Sequence, residues 1–138
     1  MKYKFAVILN KKIQAGVAIN AASHIMASLT HSGEEEDKTA MSFLSYTDAD
    51  GESHTVSGLP LIVLKANNSN KLKTLREKAL DDGLLVSPFF ESMTGGTYQE
   101  QMERTKNICT ENLDFYGVGI FGTSEKVEFL AKKFSLWN

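Results

Sequence analysis

Apolar positions follow two rhythms along this chain. Phe5-Ala6-Val7-Ile8-Leu9 is an unbroken apolar run, the pattern of a strand covered on both faces. Asn10-Lys11-Lys12 ends it with polar groups. Beyond Gly16 the rhythm changes. Ala18, Ala22, Ile25 and Leu29 recur at helical spacing and make one apolar face. Small residues on that face let the helix sit close to a sheet. The spacing predicts a helix opening at Gly16, with the glycine supplying backbone angles that other residues resist. Asn20 and His24, four apart, share a different face.

The remaining elements follow in order. His31 to Thr39 is polar and acidic through Glu34-Glu35-Glu36-Asp37, which predicts a solvated loop. Met41–Tyr46 and Glu52–Ser57 flank the turn signal Asp48-Ala49-Asp50-Gly51 and predict a hairpin. Leu59 to Ala66 predicts a buried strand, with Pro60 at its start where proline is tolerated. Asn67-Asn68-Ser69 offers caps for a helix to about Asp82, its apolar face made by Leu72, Leu75, Ala79 and Leu80. Leu84 to Phe90 predicts a strand whose second half Pro88 assigns to an edge or a bend. Glu91 to Gly96 then reads as a flexible loop. Thr97 with Glu100 makes a capping box, and the helix it opens carries Tyr98, Met102, Thr105 and Cys109 along one face. Asp114 to Phe121 predicts a strand in which Gly117 and Gly119 leave one face bare for another backbone or a ligand. A last helix turns Val127, Leu130, Ala131 and Phe134 to the core, and Trp137 packs on the core's surface. This order predicts one α/β domain over residues 1–138, a three-layer α/β/α sandwich with a mixed central sheet.

Composition narrows the classes. The 138 residues suit one ordinary domain with a real core. Hydrophobic residues make 42% and charged residues 23%, as in globular proteins rather than disordered ones. A net charge of −2 argues against a large nucleic-acid footprint, while leaving a local basic patch open. Cys109 is the single cysteine, so no internal disulfide can form and a reducing compartment is the expectation. It reads as a small buried helix residue, with nothing nearby in sequence to activate it. No apolar run reaches the roughly 18 residues of a membrane span. No small-residue cleavage site follows the first apolar run, so a cytoplasmic protein is expected. Metal-ligand spacing and a nucleotide fingerprint are both missing, so neither metal nor cofactor is expected.

Two features carry candidate chemistry. A loop glycine feeding a helix start exposes unpaired amides at the positive end of a helix dipole, which suits an anion. With no G-x-G-x-x-G and no Walker lysine, a glycine that merely turns the chain is the plainer use. Lys65 ends a central strand, where α/β folds place their sites. Its plainer use is a packed stem with the head in water.

The order of these motifs resembles the type II peptidyl-tRNA hydrolase fold over most of the chain. The resemblance rests on Phe5–Leu9 with Gly16 to His24 (GVAINAASH), Leu61–Ala66 (LIVLKA), Gly83–Ser87 (GLLVS) and Gly117 to Trp137 ending in FSLW. It is closer to a bacterial branch known as a domain of unknown function, with a G-x-A-x-N-A-A-x-H-type helix start and a loop like Glu91-Ser92-Met93-Thr94-Gly95-Gly96. The hydrolase motif G-K-x-A-x-Q-x-x-H is matched at Gly16 and His24. Val17 stands for its lysine and Ala21 for its glutamine. Its second lysine falls on Lys65, its acidic residue on Glu91, and its threonine near Thr94. Losing the first lysine removes a cation suited to RNA phosphate and to a developing negative charge.

The resemblance implies a hydrolase of an ester or amide with an anionic substrate. Lys65 would stabilise the oxyanion, Glu91 would activate water, and His24 would serve as base or as a satisfied structural group. Gly16, Val17, Asn20, Thr94 and Gly95 would hold the ligand. The competing expectation is a non-catalytic module binding a small anionic ligand or a peptide end in the same pocket, with Met93–Gly96 as a lid. A third is a protein partner or homodimer, using aromatics such as Phe89, Phe90, Tyr98, Phe115, Tyr116 and Trp137. Transfer RNA is a disfavoured partner for a chain of acidic net charge, and no membrane is expected.

Overall fold

A computed structural model describes residues 2–138. Five strands form one sheet in the order β5-β6-β1-β4-β7. They are β1 (Tyr3–Asn10), β4 (Leu61–Ala66), β5 (Leu85–Phe90), β6 (Phe115–Thr123) and β7 (Ser135–Leu136). β1 runs parallel to β4 and antiparallel to β6. β5 and β7 close the two edges in antiparallel pairings. The sheet is mixed, as the pattern predicts. β5, antiparallel to β6, points the same way as β1, so β1, β4 and β5 bring their carboxyl ends to one rim.

The unbroken run in β1 is explained by cover on both sides. Phe5, Val7 and Leu9 pack with Ala18, Ala21, Ile25 and Leu29 of α1 (Ala15–Ser32). Ala6 and Ile8 pack on the opposite side with Leu72, Leu75 and Ala79 of α3 (Ser69–Asp81) and Val127 and Leu130 of α5 (Ser124–Ala131). Each such side chain taken from water contributes about 1.5–3 kcal/mol. One helix on one face and two on the other make three layers.

Gly117 and Gly119 leave their face bare for α1, not for a ligand. A Cβ at Gly117 would stand 2.8 Å from Ile25 Cδ1, and one at Gly119 would overlap Ile25 Cγ2 and come within 2.8 Å of Leu29 Cδ1. Pro88 lies in the edge strand β5, where a missing amide costs little. The register shifts between Phe89 and Phe90.

Several expectations need correction. The acidic stretch is not a loop: α1 continues to Ser32, and α2 (Glu35–Ala40) follows. A Glu34/Asp37 capping box starts α2, the acidic residues there favouring the positive end of its dipole. The helix does not open at Gly16 through a special backbone angle. It starts at Ala15, and the positive-φ glycines are Gly51, Gly83, Gly95 and Gly96. Leu80 is exposed, so the apolar face of α3 is narrower than its sequence suggests. α4 (Tyr98–Lys106) buries Gln101, while Tyr98 and Met102 are 64% and 58% exposed. Cys109 lies beyond α4 and is exposed, not a buried helix residue. Residues 135–137 do more than pack: β7 pairs with Leu64 and Lys65, and Trp137 N donates to Val63 O at 3.0 Å.

The hairpin of β2 (Phe43–Thr47) and β3 (Ser53–Ser57) forms as predicted, but as a separate two-stranded sheet with Phe43, Leu44, Tyr46 and Val56 exposed. Asp48 Oδ1 accepts from the amides of Asp50 and Glu52, and Oδ2 lies 2.8 Å from His54 Nε2. No helix is long and apolar enough to cross a membrane among the described residues.

Candidate functional site

A cavity of about 630 Å³ opens at the rim where β1 and β5 end. One wall is a stripe of α1. Gly16, Asn20 and His24 follow at four-residue intervals, with Val17 beside them, so they stand on one helix face. The other wall is the segment after β5, from Met93 to Thr97, and the first turn of α4 with Tyr98 and Gln101. Both walls are set by strands of one sheet. Asn10 fixes the turn into α1: its Nδ2 donates to Phe115 O at 3.2 Å, and its Oδ1 accepts from Lys12 N at 3.0 Å.

The opening of α1 lacks a side-chain cap, since Gln14 at the N-cap makes no such bond. Its first amides therefore carry the unpaired positive end of an 18-residue helix. Gly16, with nothing within 4 Å of a Cβ built on it, leaves the approach clear. α4 differs. Thr97 Oγ1 accepts from Glu100 N at 3.2 Å, and Glu100 Oε1 accepts from Thr97 N at 3.0 Å. The Thr97 amide foremost, and then its hydroxyl, hold the Glu100 carboxyl below the usual value. Among the described residues, no Asp, Glu, Lys or Arg lines the cavity.

Arg104 shapes the second wall. Its Nε and Nη2 donate to Ser92 O at 3.1 and 3.0 Å, and Nη2 also donates to Thr94 O at 2.6 Å and Gly95 O at 3.0 Å. In a trans peptide the N–H points opposite to the C=O. Carbonyls 94 and 95 turn toward Arg104, so amides 95 and 96 turn away from it. Gly95 and Gly96, at φ 70° and 81°, allow that path.

Beneath this segment lies Gln101, 8% exposed. Its Nε2 reaches Gly95 O and Gly96 O at 3.4 and 3.5 Å, the long limit of a hydrogen bond. Its buried Oε1 has no partner among the described residues. Such an oxygen costs about 1–3 kcal/mol until something donates to it. His24 is braced by aromatics, stacking on Phe89 at 5.3 Å between centroids and meeting the Tyr98 edge at 6.4 Å.

The structure brings together Gly16, Val17, Asn20, His24, Thr94 and Gly95. It does not bring Lys65 and Glu91 to that wall. Lys65 Nζ donates to Asn138 Oδ1 at 2.9 Å and lines a separate recess. Glu91 is exposed, and its amide donates to Asp114 O at 2.9 Å. With Asp114 and, above all, burial, its charge pushes the Tyr116 phenol up from the usual value. Thr97, Tyr98, Gln101 and Arg104 escaped the sequence reading as site residues. The capping box located α4's first turn, but hydrophobic spacing passed over buried Gln101 and selected Tyr98 and Met102, which are exposed. No group of three His, Cys, Asp or Glu side chains placed to hold a metal occurs among the described residues.

No curated protein matches the chain. A solved structure of a protein of unknown function from Agrobacterium tumefaciens is similar, with a TM-score of 0.81 at 16% identity, over 100% of this chain and 99% of that one. At that identity the likeness shows the fold alone. A family model described as "Protein of unknown function (DUF2000)" matches residues 3–138, and the chain, matched over nearly its whole length, belongs to that family.

Proposed function

We propose that the protein is a binding module for a small anionic ligand that also carries a neutral hydrogen-bond donor, as the carboxylate end of a peptide does. Gln101 lines this cavity, and its buried Oε1, without a partner among the described residues, carries the reading. An oxygen in that state asks for an N–H or O–H. The uncapped start of α1 asks for an anion across the same space. No carboxylate lines the wall to neutralise an ammonium, so a neutral donor suits it better than a charged one.

The test is calorimetric titration with short N-acetylated peptides, each with a free or an amidated C-terminus. Saturable binding of the free acid alone is expected, weakened about tenfold in Gln101→Leu. Equal binding of both forms, or none of either, overturns the reading. Hydrolysis is the finer activity that the peptidyl-tRNA hydrolase resemblance implies. Its cation, Lys65, is held on Asn138 outside the cavity wall, so no peptide release from peptidyl-tRNA is expected. Release that is lost in Lys65→Ala would replace binding with catalysis.

A further inference from the structure

A second group of side chains, centred on α3 and the segment after α5, shares no residue with the cavity beside α1. Lys71 and Lys78 stand on α3, and Lys133 follows α5. With Thr74 these lysines wall a recess of about 70 Å³. A larger recess of about 240 Å³ is walled by Lys65, Asn67, Lys71, Lys133 and Ser135. Lys71 and Lys133 belong to both. No Asp or Glu lines either recess, and none of these four lysines is in an ion pair among the described residues.

Among the described residues, no carboxylate offsets that charge at ion-pair distance. Lys78, by direct contact and by its charge, pushes the Lys133 ammonium below the usual lysine value, and Lys71 and Lys132 add to it. Every charged group acting on Lys133 has its own sign. In a chain of net charge −2, such a focus of one sign raises the local concentration of anions. Lysine ammoniums are point charges suited to phosphate oxygens, and Thr74, Asn67 and Ser135 add neutral donors.

We propose that this lysine cluster binds a diphosphate group, one phosphoryl in each recess, with Lys71 and Lys133 serving both. Two adjoining recesses with two shared cations favour two linked phosphoryls over one. The patch holds too few lysines for an extended polynucleotide track on a chain of acidic net charge.

The experiment is isothermal titration of the full chain with inorganic pyrophosphate and with orthophosphate at fixed ionic strength. One variant is Lys71→Gln/Lys133→Gln. A second, Lys38→Gln/Lys106→Gln, removes the same charge elsewhere. Saturable binding of pyrophosphate is expected, at least about tenfold tighter than orthophosphate and at least about tenfold weaker in the first variant. The second variant should match the parent. The first variant melts no lower than the parent without ligand, because its substitutions relieve repulsion; that separates lost binding from lost folding. Absence of saturation, or equal weakening in both variants, overturns the proposal. So does lysine-dependent binding of a single-stranded RNA oligonucleotide without binding of pyrophosphate, which would make the patch a nucleic-acid contact.

Discussion

Gly16 and Gly119 look alike in the sequence, yet the structure gives them opposite roles. Gly119 lies under Ile25 and Leu29 and has no room for a methyl group. Gly119→Ala should destabilise by about 1–3 kcal/mol, since overpacking a tight core forces neighbours from their rotamers. Gly16 has an ordinary φ and open space around it. Gly16→Ala should stabilise slightly, by about 0.5 kcal/mol, because alanine loses less backbone entropy in a helix. Urea denaturation of the two variants decides, and shifts of the same sign would refute this division. Tyr116 is a third residue with a readable consequence. Its phenol titrates above the usual value, from burial first and then Glu91 and Asp114. The folded state therefore holds that proton more tightly than the unfolded chain. The resulting stability is present below the unfolded tyrosine pKa and is lost as pH rises through the folded one. Absorbance titration should show a late-ionising tyrosine that is lost in Tyr116→Phe, and that variant should flatten the alkaline fall in melting temperature. A fall of unchanged steepness would assign the effect to other groups.

Among the elements, the segment after β5 depends chiefly on one side chain, with Gln101 adding longer bonds. Arg104 holds carbonyls 92, 94 and 95, which belong to no regular ladder. Arg104→Ala should free residues 93–96 while leaving the core intact. Hydrogen exchange would then speed up in that segment, with little change in β1 and β6. Uniform acceleration across the sheet would instead make Arg104 part of the global fold. α4 also explains why its inner face was hard to read. Gln101 and Thr105, four apart, face inward through polar contacts: Thr105 Oγ1 lies 2.7 Å from Ser92 Oγ and donates to Gln101 O at 2.8 Å. Hydrophobic periodicity is blind to a face buried by polar groups.

At the scale of the whole molecule, the hairpin stands apart. β2 and β3 pair only with each other, and their residues are exposed apart from half-buried Ser57. Replacing residues 43–57 with a short flexible linker should leave the five-stranded sheet folded, its melting temperature changed by only a few degrees. Collapse of the melting transition would show that the hairpin supports the core. The two proposed binding regions share no lining residue, so their variants should not affect each other, as expected for sites without shared partners.

The sequence by itself determined the elements whose burial is apolar and periodic. The continuous run of β1 required cover on both faces, and the helical spacings of α1, α3 and α5 supplied that cover. Six residues of the cavity wall were also named from the sequence, through the helix start at Gly16 and the motif resemblance that added His24 and Thr94. Tertiary structure alone decided which partners meet. Only the sheet order sets the rim where α1 and the segment after β5 face each other, and sends Lys65 to a separate recess with Lys71 and Lys133. Only packing shows Gln101 Oε1 buried without a donor. Local pattern encodes what a residue prefers; pairing across some eighty residues of chain, as between Asn20 and Gln101, depends on long-range contacts that no local pattern reports.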